Sequence, residues 1–231
     1  MAQMFTENRF FGSDRIGDAK QVTAALTSRL IEPDSGAERL RFAFGQRFNL
    51  QAQKVNIVAP TATDNKSDIL LAAFGQVTPA WSLDSALQYN PNQSHSEKYN
   101  LSLRYRPEAG KVLNLGYRFT RNNLRQVDVS TQWPLSGRWH AVARWNHSLQ
   151  DRSILEALTG LEYNESCWTL RLVAQRFATS TQEASSGFFV QLELNDLVRV
   201  GADPLSVIRQ SIPGYTKMNR PSGDQPVQGL R

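Results

Sequence analysis

Apolar and polar residues alternate with a period of two along most of this chain. Over 38–50 one phase reads Leu40, Phe42, Phe44, Gln46, Phe48 and the other reads Arg41, Ala43, Gly45, Arg47, Asn49. The run from Trp81 sets Leu83, Ser85, Leu87 and Tyr89 against Ser82, Asp84, Ala86, Gln88 and Asn90. Tyr99, Leu101, Leu103 and Tyr105 then oppose Asn100, Ser102, Arg104 and Arg106, and Leu113, Leu115, Tyr117 and Phe119 oppose Asn114, Gly116, Arg118 and Thr120. Successive side chains of an extended strand point to opposite faces, so each run predicts a strand with one apolar and one polar face. Fainter copies at 22–31, 68–77, 125–133, 139–149, 155–163, 168–177 and 188–195 bring the prediction to about eleven strands.

These runs are roughly 9 to 12 residues long, which suits a tilted strand crossing a bilayer better than the 5 to 6 residues usual in soluble sheets. Short turns at 78–80, 107–110 and 134–137 interleave with looser polar loops at 90–97 and 179–186, the habit of bacterial barrels. Trp81, Tyr89, Tyr99, Tyr105, Tyr117, Trp133, Trp139, Tyr163 and Trp168 fall mostly near strand ends, where interfacial aromatic girdles sit. The expected class is therefore all-β, an antiparallel transmembrane β-barrel segment. A soluble β-sandwich would also be rich in aromatics, but long strands with a polar residue at every second position and no second apolar face weigh against it.

Composition agrees. The hydrophobic share is 40%, with five Trp, six Tyr and eleven Phe, an aromatic but polar balance that strands exposing alternate residues to lipid would have. No stretch approaches the roughly 18 to 20 continuous apolar residues of a membrane helix. The start, Met1-Ala2-Gln3-Met4-Phe5-Thr6-Glu7, lacks the basic-then-apolar layout of a secretory signal, so an exported protein of this kind is expected to be a fragment or to begin further upstream. After Asn195 the alternation stops. The division expected is a loop segment at 1–19, strands over 20–197, a tail at 198–216 with one short helical turn near Pro204, and a disordered tail at 217–231.

Residues that could carry chemistry are few. The net charge of +5 suits nucleic acid and anionic lipid equally and selects neither. His140 and His147 are an odd number of positions apart on strand-like chain and face opposite ways, His95 lies in a loop, and neither metal-ligand spacing nor a GxSxG elbow occurs. No catalytic, metal or cofactor site is expected and the chain reads as a non-enzyme, a barrel lipase or protease being the enzymatic alternative. Arg41, Arg47, Arg104, Arg106, Arg118, Arg125, Arg144 and Arg171 are assigned to the polar face. They could hold phosphate or carboxylate groups of a glycolipid, or pair with Asp84, Asp128, Glu156 and Glu162 on neighbouring strands. Cys167, the single cysteine, is a free thiol, buried and packed against Trp168, or half of a bridge to another segment.

Several stretches resemble the C-terminal barrel of the lipopolysaccharide-assembly (LptD) family of Gram-negative bacteria. They are Phe5-Thr6-Glu7-Asn8-Arg9-Phe10-Phe11-Gly12 through Ala19, Glu38-Arg39-Leu40 through Gln46, Tyr99-Asn100-Leu101 through Arg106, and Tyr163-Asn164-Glu165-Ser166-Cys167-Trp168. The stretch 187–194, with Gly187, Phe188, Val190, Leu192 and Leu194, is similar to the family's terminal β-signal, and Ser211-Ile212-Pro213-Gly214-Tyr215 fits its tail. The resemblance covers about 5–216. It implies a place in the cell outer membrane, insertion of lipopolysaccharide into the outer leaflet, and no nucleic-acid partner. The partners implied are an LptE-type plug lipoprotein, the periplasmic lipopolysaccharide-transport bridge and the barrel insertion machinery. It also implies an incomplete barrel, lacking the family's jelly roll and first barrel half, with 198–216 on the periplasmic side. The family carries adjacent cysteines where this chain has Ser166 and Cys167, so Cys167 is the candidate for an interdomain disulfide. A porin-like structural or pore-forming barrel, which has no need of that cysteine, is the alternative.

Overall fold

The computed structural model describes residues 20–50, 66–165, 167–178, 184–194 and 197–218. The loop expected at 1–19 and the tail beyond 218 lie outside the described residues, as does the side chain of Arg47. The chain forms β1 (Gln21–Ile31), β2 (Glu38–Asn49), β3 (Lys66–Gln76), β4 (Trp81–Asn90), β5 (His95–Glu108) and β6 (Lys111–Thr120). It continues with β7 (Leu124–Pro134), β8 (Trp139–Ser148), β9 (Ser153–Asn164), β10 (Trp168–Ala178), β11 (Ala184–Leu194), β12 (Val198–Gly201) and the helix α1 (Pro204–Ser211). All twelve strands hydrogen-bond in chain order in one sheet with β1 and β12 at its edges, so the sheet is open.

The all-β class and each of the eleven expected strands are present; β12, only four residues long, is an addition. The connection expected as a loose loop over 90–97 is shorter, because β5 already begins at His95 and Asn90 Oδ1 accepts hydrogen bonds from the backbone N–H groups of Asn92 and Gln93, tightening the turn. Two other turns share one pattern: Val77 N–H donates to Trp81 O at 2.9 Å and Leu135 N–H donates to Trp139 O at 2.8 Å. The β5–β6 turn needs Gly110, whose φ of 79° is the left-handed conformation open to glycine at no steric cost.

Two compact units can be distinguished, Met1–Ser102 with Tyr117–Arg125, and Leu103–Gly116 with Gln126–Arg231. In the first, register aligns Leu26, Phe44, Leu71 and Leu87 side by side on one face, and Phe42 and Leu83 belong to that face. Leu26 is 70% exposed and Phe42 51%, so the face has no protein cover among the described residues. The opposite face carries buried Ala43 and, next to it, Arg41, whose Nη2 lies 2.6 Å from Glu38 Oε2 and whose guanidinium sits 5.0 Å from the Phe74 ring centre.

In the second unit, Leu115, Trp133, Trp145, Leu161, Val190 and Leu192 lie on an equally uncovered apolar face. Its other face is covered. There Val112, Val142, Leu158 and Val173, all essentially buried, pack against Ile208 and Ile212 of the C-terminal segment. The helix that brings them starts with Pro204, whose missing N–H is no loss in a first turn, and sets Leu205, Ile208 and Ile212 on one stripe. Ile212 N–H caps it by donating to Ile208 O at 2.8 Å; Ile212-Pro213-Gly214-Tyr215 then reverses the chain, with Gly214 at φ 86°. Pro at the second and Gly at the third position are what a type II turn requires.

Gly160 leaves no room for a side chain on the covered face: a Cβ there would meet Leu172 O at 2.8 Å and Val142 Cγ2 at 2.9 Å. Gly160→Val is expected to destabilise the protein by about 1–3 kcal/mol through overpacking, despite the higher strand propensity of valine. Gly137→Ala, where a Cβ meets nothing within 4 Å, should change stability by less than about 0.5 kcal/mol. Urea unfolding of the micelle-folded protein compares the two.

Candidate functional site

The covered face of the second unit is where polar side chains converge. Register brings Arg171 of β10 opposite Glu162 of β9 and Gln191 of β11, and cross-strand partners share a face. Fully buried Arg171 places Nε 2.9 Å from Glu162 Oε1, and its Nη1 donates to Gln191 Oε1 at 3.0 Å and to Glu193 Oε2 at 2.6 Å. Glu193 Oε1 is met from two further directions, by Lys217 Nζ at 2.6 Å and Arg199 Nε at 3.3 Å. Tyr215 O–H donates to Glu162 Oε1 at 2.6 Å. Burial, with the Glu162 carboxylate adjacent, pushes the Tyr215 phenol above its ordinary value, so it stays protonated as a donor.

A second group surrounds Arg144, which reaches Asp128 at 2.8 Å and Glu156 at 2.9 Å. Glu156 Oε1 also accepts from Gln175 Nε2 at 3.1 Å and from Ser211 Oγ, at the end of α1, at 2.9 Å. A third centres on Asn114, which accepts from Arg104 Nε at 2.9 Å and donates to Ser130 Oγ and to Pro213 O. Gln132 adds a two-way clasp: its Oε1 accepts from Thr216 N–H and its Nε2 donates to Thr216 O, both at 2.9 Å. Charges in this wall are thus neutralised mainly by one another and by the C-terminal segment.

Of the two readings open for the arginines, Arg144 and Arg171 follow the structural one, with Asp128, Glu156 and Glu162 as partners. Arg106 and Arg118 are exposed. Arg125 corrects the assignment to the polar face: its guanidinium lies 5.6 Å from the Phe119 ring centre, on the apolar face, because 125 shares its phase with Val127 and Val129. His140 is buried on the covered face opposite Glu162, whereas His147 stacks on Trp145 at 5.1 Å on the other. Among the described residues no group of three His, Cys, Asp or Glu could hold a metal ion.

Phe188, Val190, Leu192 and Leu194 line the uncovered face of β11, and the Phe189 ring folds over Gly187. The expectation that 187–194 forms the last strand needs adjustment, since β12 returns along Gln191–Leu194 and occupies that part of the edge. Cys167 is an exposed free thiol in the turn between β9 and β10, which corrects the reading of a buried thiol packed against Trp168. Gln191, Glu193, Tyr215 and Lys217 were not anticipated as site residues. The only signal for them is that 205, 208 and 212 repeat apolar residues at helical spacing while Val112, Val142, Leu158 and Val173 break the polar phase of their strands.

A meandering antiparallel sheet, apolar and uncovered on one side and polar and self-neutralised on the other, is a wall segment of a β-barrel. The family model described as LPS transport system D matches residues 1–139. LPS-assembly protein LptD of Azoarcus sp. (strain BH72) is 44% identical over 232 residues, covering 97% of this chain and 28% of that protein. The proteins of the same name from Aromatoleum aromaticum and Nitrosospira multiformis are 47% and 48% identical, over 97% and 94% of this chain and 29% and 23% of their own lengths. The chain belongs to the LptD family. It spans less than a third of the length of these curated relatives.

Arg171 tests how the wall holds together. Arg171→Met strips a buried cation from Glu162 and Glu193 and is expected to destabilise by about 3–5 kcal/mol. Arg138→Met, which breaks the exposed 3.0 Å pair with Glu165, should change stability by about 1 kcal/mol or less in the same unfolding measurement.

Proposed function

We propose that this chain is part of an outer-membrane barrel that assembles lipopolysaccharide in the outer leaflet, a transport role without catalysis. The observation that carries the reading is the likeness over nearly the whole chain to proteins named LPS-assembly protein LptD. The uncovered faces support it: Leu115, Leu161, Val190 and Leu192 would meet acyl chains, and Trp139, Tyr163 and Trp168, with ring centres 4.9 and 5.1 Å apart, would anchor one rim at the headgroups. No helix among the described residues is long and apolar enough to cross a membrane. The partners in this reading are lipopolysaccharide, a plug lipoprotein of the LptE type inside the barrel, the periplasmic transport bridge and the barrel insertion machinery, which would read Gly187, Phe188, Val190, Leu192 and Leu194. Depleting the full-length protein from a Gram-negative cell is expected to lower surface lipopolysaccharide, measured by labelling its glycan on intact cells. Unchanged surface labelling with slower entry of small solutes would favour a porin-like pore instead.

In the same reading the β9–β10 turn and the 198–216 tail face the periplasm, where oxidation favours disulfides. Cys167, exposed in that turn, is then placed to bridge to a cysteine of the periplasmic domain. The full-length protein is expected to show a thiol-sensitive mobility shift on non-reducing gels that Cys167→Ser abolishes. An identical shift in both versions would assign the bridge to another residue.

A further inference from the structure

The chain continues past its last long strand, and 203–217 folds back over the covered face it has just completed. Its contacts fall into two sets. Toward the wall, Ser211 bonds Glu156, Asn114 bonds Pro213, Tyr215 bonds Glu162 and Gln132 clasps Thr216. Toward the terminal hairpin, Asp203 Oδ1 accepts from Gln191 Nε2 at 3.4 Å and Lys217 Nζ meets Glu193 at 2.6 Å. Between the two sets, Ile208 and Ile212 are fully buried.

Strands β6–β9 are paired along both edges, whereas among the described residues β11 has β10 on one side and the four residues of β12 on the other. Such a strand is less constrained in register than one paired along the whole of both edges. A slip by one residue would turn Gln191 and Glu193 to the apolar face and bring Phe188, Val190 and Leu192 against Arg171. The segment 203–217 can reach Gln191 and Glu193 from the wall only when β11 stands in its native register.

We propose that 203–217, besides covering the wall, is a clamp that fixes the register of the terminal hairpin β11–β12 against β10. The proposal concerns the fold of this chain and stands or falls apart from the lipopolysaccharide reading. In the full-length protein, Asp203→Ala combined with Lys217→Ala removes the two polar ties to β11, and leaves both the ties to the wall and the packing of Phe189 against the Ile208–Ile212 core in place. Amide hydrogen exchange at 191–194 is expected to quicken roughly tenfold, while β8 amides at 139–148 keep their rates. Ser206→Ala, which loses only a bond to Asp203 O, should leave both unchanged, and Lys217→Arg should retain protection. Unaltered exchange at 191–194 in the double variant would overturn the proposal, as would equal acceleration in β8, the mark of a general support for the wall. If the double variant does not assemble, Lys217→Ala alone gives the same comparison, with several-fold acceleration confined to 191–194 as the expected result and none as the refuting one.

Discussion

A strand turns every second side chain to the same face, and in an antiparallel pair each residue shares that face with its partner. Once one register is set, the orientation of every side chain on the neighbouring strand follows. The arrangement of this protein rests on that constraint. The pairing of Leu161 with Leu172 and of Leu172 with Val190 makes a continuous apolar surface from three sequence-distant residues. The same register necessarily lines up Glu162, Arg171 and Gln191 one position along, on the other side.

The two faces solve different problems. The apolar face has nothing to satisfy except the removal of hydrocarbon from water. The polar face has to neutralise charge where little water reaches, and an unpaired buried ion is expensive. It does so with a guanidinium shared between carboxylates on two strands, and with side chains brought back by the end of the chain. Val112, Val142, Leu158 and Val173 would be out of place on a wholly polar wall; beneath Ile208 and Ile212 they become a small hydrophobic core.

Strand identity was legible because alternation repeats over whole runs, so that single exceptions such as Gln46 among Leu40, Phe42 and Phe44 do not hide it. β12 escaped because Val198-Arg199-Val200-Gly201 is too short to establish a period. The phase of Arg125 was available in its own strand, in step with Val127, Val129 and Trp133, yet its charge suggested the wrong side; the long aliphatic stem and the Phe119 ring make the apolar face acceptable. The site itself was less accessible. Pairing Arg171 with Glu162 requires the register across the β9–β10 turn, and reaching Glu193 from Lys217 requires knowing that the chain folds back, which no local periodicity encodes.

The carboxylate of Glu193 receives cations from β10, from β12 and from the segment beyond α1, at positions 171, 199 and 217. Groups that share one partner do not contribute independently. A change at any of these four positions therefore alters the selective value of the residues at the other three. Among diverging members of the family, drift at this node should be epistatic, with charge reversals tolerated in concert and rarely alone, so that the node would register as linked substitutions between the last full strand and the chain end.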